Sequence, residues 1–277
     1  MQNNTQLQKP KKQYCQLFDV TGKRQFDALY AALDSVACVS EEMHMQANDG
    51  NLRIRTMDPS HVCLIDMEFF TDHLYDDVKC AIRTDSLLKV LKSITWGAYD
   101  KDDTDGKRVV IAYIYDADHQ NDKIRVRAGN DVTDLRVIAH CDSNVPEIKI
   151  DHTNKISVPA KDMLSAAKKI KAVSEYMSIG MQDGAVMAFG NGDDGKRSCQ
   201  IDNTEVTRAL EPEEKIVTVS MDYLYPILAR APKIIKDAQK DMDHRMELST
   251  AVKKPIRLVY FNDWIRSEFW LAPRVED

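Results

Sequence analysis

The sequence predicts an α+β protein built from a duplicated unit, and three observations carry that reading. Helix-period apolar stretches are interleaved with alternating, strand-like ones. The order of elements in the first half returns in the second. The basic residues gather on the helical stretches, although the chain as a whole has a net charge of -6. Its 277 residues can bury one large core or two medium ones, and a composition of 43% apolar and 30% charged residues is that of a folded globular chain.

Residues 1–13 (MQNNTQLQKPKKQ) are polar and hold Lys9, Lys11 and Lys12, which reads as a mobile tail. From Val20 the period becomes helical, with Phe26, Leu29, Leu33 and Val36 on one face. Met43, Met45 and Ala47, then Leu52 and Ile54, alternate on either side of Asn48-Asp49-Gly50 and predict a hairpin. A strand from Val62 to Phe70 follows. A second helix, Asp85 to about Thr95, sets Leu87, Leu88, Leu91 and Ile94 opposite Lys89 and Lys92. Strands are expected at Val109–Tyr115, Ile124–Ala128 and Leu135–Ala139, separated by Asp/Asn/Gly turns.

The segment Asp142–Thr153, with Asn144-Val145-Pro146 and little periodicity, suits a connector. Beyond it the order repeats. A strand at Lys155–Val158 leads to a helix from Ala160 to about Tyr176, and strands follow at Met177–Met181, Ala185–Phe189, Lys196–Ile201 and Ile216–Ser220. A fourth helix begins near Tyr223 with Leu224, Leu228, Ala231 and Ile235 inward and Lys233 and Lys240 outward; Pro232 is expected to kink or shorten it. Strands at Arg245–Ser249, Ile256–Phe261 and Ser267–Leu271 close the chain.

The charge split is the functional signal. The helical stretch 20–38 is neutral, and 83–96, 161–176 and 221–240 carry +2 each, so the remainder of the chain is strongly acidic. Lysines and arginines on exposed helix faces hold phosphates without reading bases, and those faces lack the aromatics that stack on single strands.

Several segments imitate catalytic motifs and fail on physical grounds. Gly190-Asn191-Gly192-Asp193-Asp194-Gly195-Lys196-Arg197 approaches the phosphate-binding loop, but Arg197 offers no magnesium-binding hydroxyl and Asp193 and Asp194 repel phosphate. A strand hairpin is expected there. The acidic run Asp100–Gly106 lacks the spacing and the terminal Glu of a calcium loop. The seven histidines form no metal-ligand pair, and the six cysteines contain no C-x-x-C and read as reduced thiols. No nucleophile elbow is present, so the expectation is a protein that is not an enzyme and needs no cofactor. No apolar run approaches the ~18 residues of a membrane span, and no signal-peptide pattern opens the chain. An intracellular protein without membrane contact is the corresponding expectation.

Three segments, Met57-Asp58-Pro59-Ser60-His61-Val62, Ser86-Leu87-Leu88-Lys89-Val90-Leu91-Lys92, and Lys254-Pro255-Ile256 with Leu271-Ala272-Pro273-Arg274-Val275-Glu276-Asp277, stand out together. They resemble proliferating cell nuclear antigen, the DNA sliding clamp family of eukaryotes, archaea and some viruses. The likeness runs in order over about residues 14–277. It implies the DNA clamp fold, with two similar domains (14–138 and 154–277) joined by a connector (139–153). Sheets would lie outside and helices would line the hole of a ring, usually of three subunits. It implies a DNA polymerase processivity factor that encircles duplex DNA. The partners implied are a polymerase, a clamp loader and other replication and repair proteins. The site would be the nucleus, the cytoplasm or a viral replication site according to host.

In this frame Arg24, Lys89, Lys92, Lys161, Lys168, Lys171, Arg230 and Lys233 are the expected DNA contacts. The family's partners insert a Q-x-x-hydrophobic-x-x-aromatic-aromatic peptide beside the connector. Matching positions give a pocket of Met57, Val62, Val145, Pro146, Pro255, Trp270, Ala272 and Pro273. Trp270 stands where the family commonly has Tyr, and the connector is less apolar than usual. Ring closure in the family pairs edge strands, for which Ile124–Ala128, with Arg125 and Arg127, and Ala185–Phe189 are the candidates. Two other readings are a clamp-like scaffold that recruits proteins without encircling DNA, and a nucleotide enzyme built on the Gly190–Arg197 loop.

Overall fold

A computed structural model describes residues 13–48, 51–70, 78–96, 108–116, 119, 121–139, 145–193, 195–208, 217–235 and 244–274. The expectations for the tail before Gln13, the loop 97–107, Lys240 and Cys141 lie outside these residues.

In the first half, β1 (Gln13–Thr21), α1 (Lys23–Ala37), β2 (Glu42–Asn48), β3 (Asn51–Met57), β4 (Cys63–Phe70), β5 (Val78–Arg83), α2 (Thr84–Ser93), β6 (Arg108–Tyr115), β7 (Lys123–Ala128) and β8 (Asp131–Arg136) follow one another. The second half repeats this order with one more described strand between its helices: β9 (Asn154–Pro159), α3 (Ala160–Lys171), β10 (Tyr176–Gln182), β11 (Ala185–Gly192), β12 (Gly195–Gln200), β13 (Glu205–Arg208), β14 (Val217–Ser220), α4 (Met221–Ile235), β15 (Arg245–Thr250), β16 (Ile256–Phe261) and β17 (Ile265–Leu271).

The strands form three antiparallel sheets. Two have four strands, in the orders β1-β6-β7-β8 and β12-β11-β10-β14, and one has nine, in the order β13-β9-β15-β16-β17-β4-β3-β2-β5. The nine-stranded sheet is shared by the two halves, which join where β17 pairs with β4 from Ile265 opposite Phe69 to Leu271 opposite Cys63. Alternation specifies that register. Ile54, Ile65, Met67, Leu258, Tyr260 and Phe269 are fully buried, whereas Arg53, Asp66, Glu68, Arg266 and Glu268 point to the other face. A slip of one residue would drive that charged set into the core.

On the outer face the charges pair across strands. Arg53 and Arg55 both reach Asp66, Arg266 reaches Glu68 at 3.6 Å and Glu268 at 2.9 Å, and Arg257 lies between Glu268 at 2.8 Å and Glu247 at 3.2 Å. This ladder crosses the joint between the halves. Burial draws up the Glu268 carboxyl, but Arg257 and Arg266 outweigh it and the net shift is downward.

The structure revises several expectations. Strands β1, β5 and β13 are additional to those read from the sequence. The strand expected at Leu135–Ala139 lies instead at Asp131–Arg136, entered through a turn at Gly129, whose φ of 61° suits glycine. The third helix stops at Lys171, where Val173 and Ser174 N–H both turn back to the Ile170 carbonyl. The fourth helix continues past Pro232 to Ile235 with Pro226 also inside it. Pro232 lacks only its own N–H, so the bond it cannot make is the one to the Leu228 carbonyl, and the helix is described through Ile235 all the same. The glycine-rich decoy is the expected hairpin, with Gly192 opposite Gly195. Its phosphate-loop reading fails because β12, a strand, follows where a helix N-terminus is required.

Candidate nucleic-acid interface and partner pocket

The four helices lie side by side in the order α2, α1, α4, α3. Each buries an apolar stripe, such as Phe26, Leu29, Leu33 and Val36 of α1 or Leu224, Ile227, Leu228 and Ala231 of α4. What remains exposed is mostly cationic. Lys89 and Lys92 of α2, Lys161, Lys168 and Lys171 of α3 and Lys233 of α4 are exposed, and Arg24 of α1 is partly so.

These cations are not equivalent. Lys92, Lys168 and Lys233 each lie in the last turn of their helix, where a cation also meets the negative end of the helix dipole. Lys89 lies 3.0 Å from Asp85, and Lys89 and Arg83 together hold the Asp85 carboxyl down at about 2. Lys171 sits 4.3 Å above the Tyr225 ring, tying α3 to α4. Arg230 turns into the seam between α4 and α1, donating to Asp34 at 2.6 Å and to the Pro226 carbonyl at 2.9 Å. Its charge is spent inside the helix layer. Lys169, exposed in the last turn of α3, joins the set; it was not among the expected contacts, although its place in the run Lys168-Lys169-Ile170-Lys171 is the signal that could have found it.

The expected peptide pocket is divided in two. Met57 and Val145 share a cavity of about 700 Å³ with Cys38, Val39, Glu41, Glu42, His44, Thr56, Asp58, Pro59 and His61. Trp270 belongs instead to a cleft of about 470 Å³ under the connector, with Arg53, Arg55, Ile148, Ile150, His152 and Arg257. Its ring lies against His152 at 5.4 Å with the planes tilted by 32°, and its Nε1 donates to Glu268 at 2.8 Å. Val62, Pro146, Pro255, Ala272 and Pro273 line neither cavity. The Ala272 N–H donates to the Val62 carbonyl at 2.8 Å, and the Pro146 and Pro255 carbonyls accept from Arg55 and His152. Beyond Pro273, the Arg274 N–H donates to Thr218 and its guanidinium covers Tyr176 at 3.9 Å, so the tail is fixed to β14.

The cavity floor depends on Asp58, which is 2% exposed. Its carboxylate accepts from the N–H groups of Ser60 at 3.0 Å, Val62 at 2.7 Å and Cys63 at 2.5 Å, and from Tyr223 Oη of α4 at 2.9 Å. Burial and this bond to Asp58 push the Tyr223 hydroxyl up to about 12. The stretch Ala37–His44 of the cavity carried no motif in the sequence. Only the fold brings it to Met57.

Neither expected segment is an edge strand; the described sheets end at β1 and β8, at β12 and β14, and at β13 and β5. Ile124–Ala128 falls within β7, between β6 and β8, and Ala185–Phe189 falls within β11, between β10 and β12. Both lie in sheet interiors because a further hairpin strand follows each. Arg125 spends its charge on Asp134 of β8 at 2.7 Å. Lys123 and Arg125 together hold the Asp134 carboxyl well below the usual range.

Among the described residues no group of three or more His, Cys, Asp or Glu could hold a metal ion, and Cys15, Cys38, Cys63, Cys80 and Cys199 are free thiols. No helix of the described residues is long and apolar enough to cross a membrane.

No protein-family model matches the chain. It is 27% identical over 258 residues to the DNA polymerase sliding clamp of Nitrosopumilus maritimus, covering 90% of this chain and 96% of that one. The sliding clamp of Cenarchaeum symbiosum is also 27% identical, over 90% of this chain and 95% of its own. Among solved structures, the proliferating cellular nuclear antigen of Entamoeba histolytica superposes with a TM-score of 0.69 at 14% identity, covering 95% of this chain and 98% of that one. A. fulgidus PCNA bound to the C-terminal region of FEN-1 gives 0.72 at 18% identity, over 94% and 100%. Along nine-tenths of its length the chain is similar in sequence to archaeal DNA polymerase sliding clamps, and its fold is that of the PCNA structures.

Proposed function

We propose that this chain is a DNA polymerase processivity factor whose copies close into a ring around duplex DNA and tether other replication and repair proteins to it. The observation that carries the proposal is the single layer of four helices with Lys89, Lys92, Lys161, Lys168, Lys169 and Lys233 exposed on a chain of net charge -6. Exposed lysines bind phosphates through counterion release and read no sequence. Contacts of that kind are individually weak and let a protein slide. Enclosure then supplies retention, and the ring performs no chemistry.

The two repeated halves act as two clamp domains, 14–138 and 154–277, with 139–153 connecting them. Closure uses β8 of one copy and β12 of the next. Each is the last strand of its sheet, and both are largely exposed. Asp131 and Val132 on one edge and Lys196 and Arg197 on the other make the two surfaces different, so the contact is head-to-tail and generates a closed ring, in this reading a homotrimer. The Sulfolobus tokodaii PCNA2–PCNA3 complex, with a TM-score of 0.71 at 16% identity, supports an assembly of such chains.

The cavity of Met57 and Val145 takes the apolar and aromatic residues of a Q-x-x-hydrophobic-x-x-aromatic-aromatic peptide from a polymerase, clamp loader or repair enzyme. The A. fulgidus complex with a C-terminal region of FEN-1 supports a partner of this kind.

The test is topological. The protein is loaded by a clamp loader on nicked circular DNA, the circle is linearised, and retention is followed. The expected result is loss from the free ends; retention unaffected by linearisation would overturn encirclement and leave a recruiting scaffold.

A further inference from the structure

We infer that Arg55 is a positioning residue for the partner pocket, acting by tethering the connector to the shared sheet. This rests on the peptide-pocket reading above. The stretch Val145–His152 bridges the cleft under it and is held at both ends. At the far end His152 Nε2 donates to the Pro255 carbonyl at 2.9 Å and its ring packs at a tilt against Trp270. At the near end Arg55 Nη2 donates to the Pro146 carbonyl at 2.6 Å across 91 residues of chain. Val145, the adjoining residue, lines the Met57 cavity.

Arg55 is built for a fixed reach. It projects from β3 on the outer face, its side chain is only 15% exposed, and its Nε lies 3.4 Å from Asp66 Oδ2. Asp66, 14% exposed, is also held by the Arg53 guanidinium, Nε to Oδ1 at 2.6 Å. Arg53 and Asp66 thus brace Arg55 from the sheet, and its planar fork delivers a donor at one place above it. No regular backbone pairing runs along 145–152. Side-chain tethers therefore decide where the Val145 wall stands relative to Met57. A wall held in place before the peptide arrives spares the ordering cost of binding. Where the wall is in place only part of the time, apparent affinity falls by that fraction.

The experiment compares the full chain with Arg55→Met, which keeps an apolar stem and removes the donors, and Arg55→Ala. Asp66 keeps Arg53 in both, and a thermal melt checks folding. Two readouts are taken: cleavage after Lys149 by a lysine-specific protease, and affinity for a fluorescent Q-x-x-hydrophobic-x-x-aromatic-aromatic peptide. The expectation is cleavage after Lys149 several-fold faster in both variants, with peptide affinity reduced about fivefold. Unchanged cleavage in both folded variants would overturn the tether. Faster cleavage with unchanged affinity would overturn its role in positioning the pocket. If the unaltered chain fails to bind the peptide, the pocket reading falls, while the cleavage rates still decide whether Arg55 holds the connector.

Discussion

Two residues tie distant parts of the chain together, and both can be tested singly. Asp58 satisfies three backbone N–H groups and the Tyr223 hydroxyl, so Asp58→Ala strands buried donors from both halves. The expected loss is about 2–4 kcal/mol in urea unfolding, with Tyr223→Phe costing only about 1 kcal/mol. Equal effects of the two would place the weight on Tyr223 instead. His152 gives a pH signature. Burial first, then Arg257, Lys254 and Lys155, lower its pKa, against the opposing bond to Pro255. The folded chain thus prefers neutral imidazole, and the unfolded chain binds the proton at higher pH. The stability associated with His152 is complete above the ordinary histidine value and declines as pH falls through the lowered one. His152→Gln should flatten that part of the stability–pH curve, measured by denaturation from neutral pH downward. Sequence motifs marked Met57, Val62 and Trp270 as site residues, with Asp58 present only as a motif position beside Met57. They could not reveal that Trp270 faces a different cleft from Met57, because that depends on which side of the connector each strand end emerges.

At the scale of elements, the edge strands carry the sharpest expectation. Lys196→Glu with Arg197→Glu places acid on the β12 edge opposite the Asp131 side of β8, and like charges across a strand pairing disfavour it. Light scattering should then show a monomer at concentrations where the unaltered chain associates; an unchanged mass would move the contact elsewhere. The same elements show what the sequence made legible. All four helices and the hairpin of β2 and β3 follow from apolar period, since each buries one face. β1 escaped because a bulge between Gln16 and Phe18 leaves Leu17 and Phe18 both buried and breaks the alternation. β5 has Cys80, Ala81 and Ile82 buried in succession, because Ala81 also pairs with Ala139. β8 and β13 are exposed edges with no buried face to pattern them, so their bounds could not be read.

At the scale of the whole molecule, charge separation decides what kind of DNA binding is possible. A net charge of -6 opposes adsorption of DNA on the outer surface, while the helix layer attracts it. In the proposed ring, enclosure rather than these contacts keeps the chain on DNA, because a few exposed lysines lose affinity steeply as salt rises. The helix cations divide into those spent on protein and those left over. Arg230 is committed to Asp34, so Arg230→Ala should lower stability by about 1–3 kcal/mol through the stranded Asp34. Lys92, Lys168 and Lys233 form no ion pair among the described residues, so reversing all three to Glu should leave the melting temperature within a few degrees. The same triple change should lower the salt-dependence slope of DNA retention by about 3 for each subunit of the ring, in the counterion-release relation of about 0.9 per phosphate contact. Retention of loaded protein against salt, with and without the triple change, measures this. A slope that did not move would place the DNA path away from the helices even if the protein still behaved as a ring.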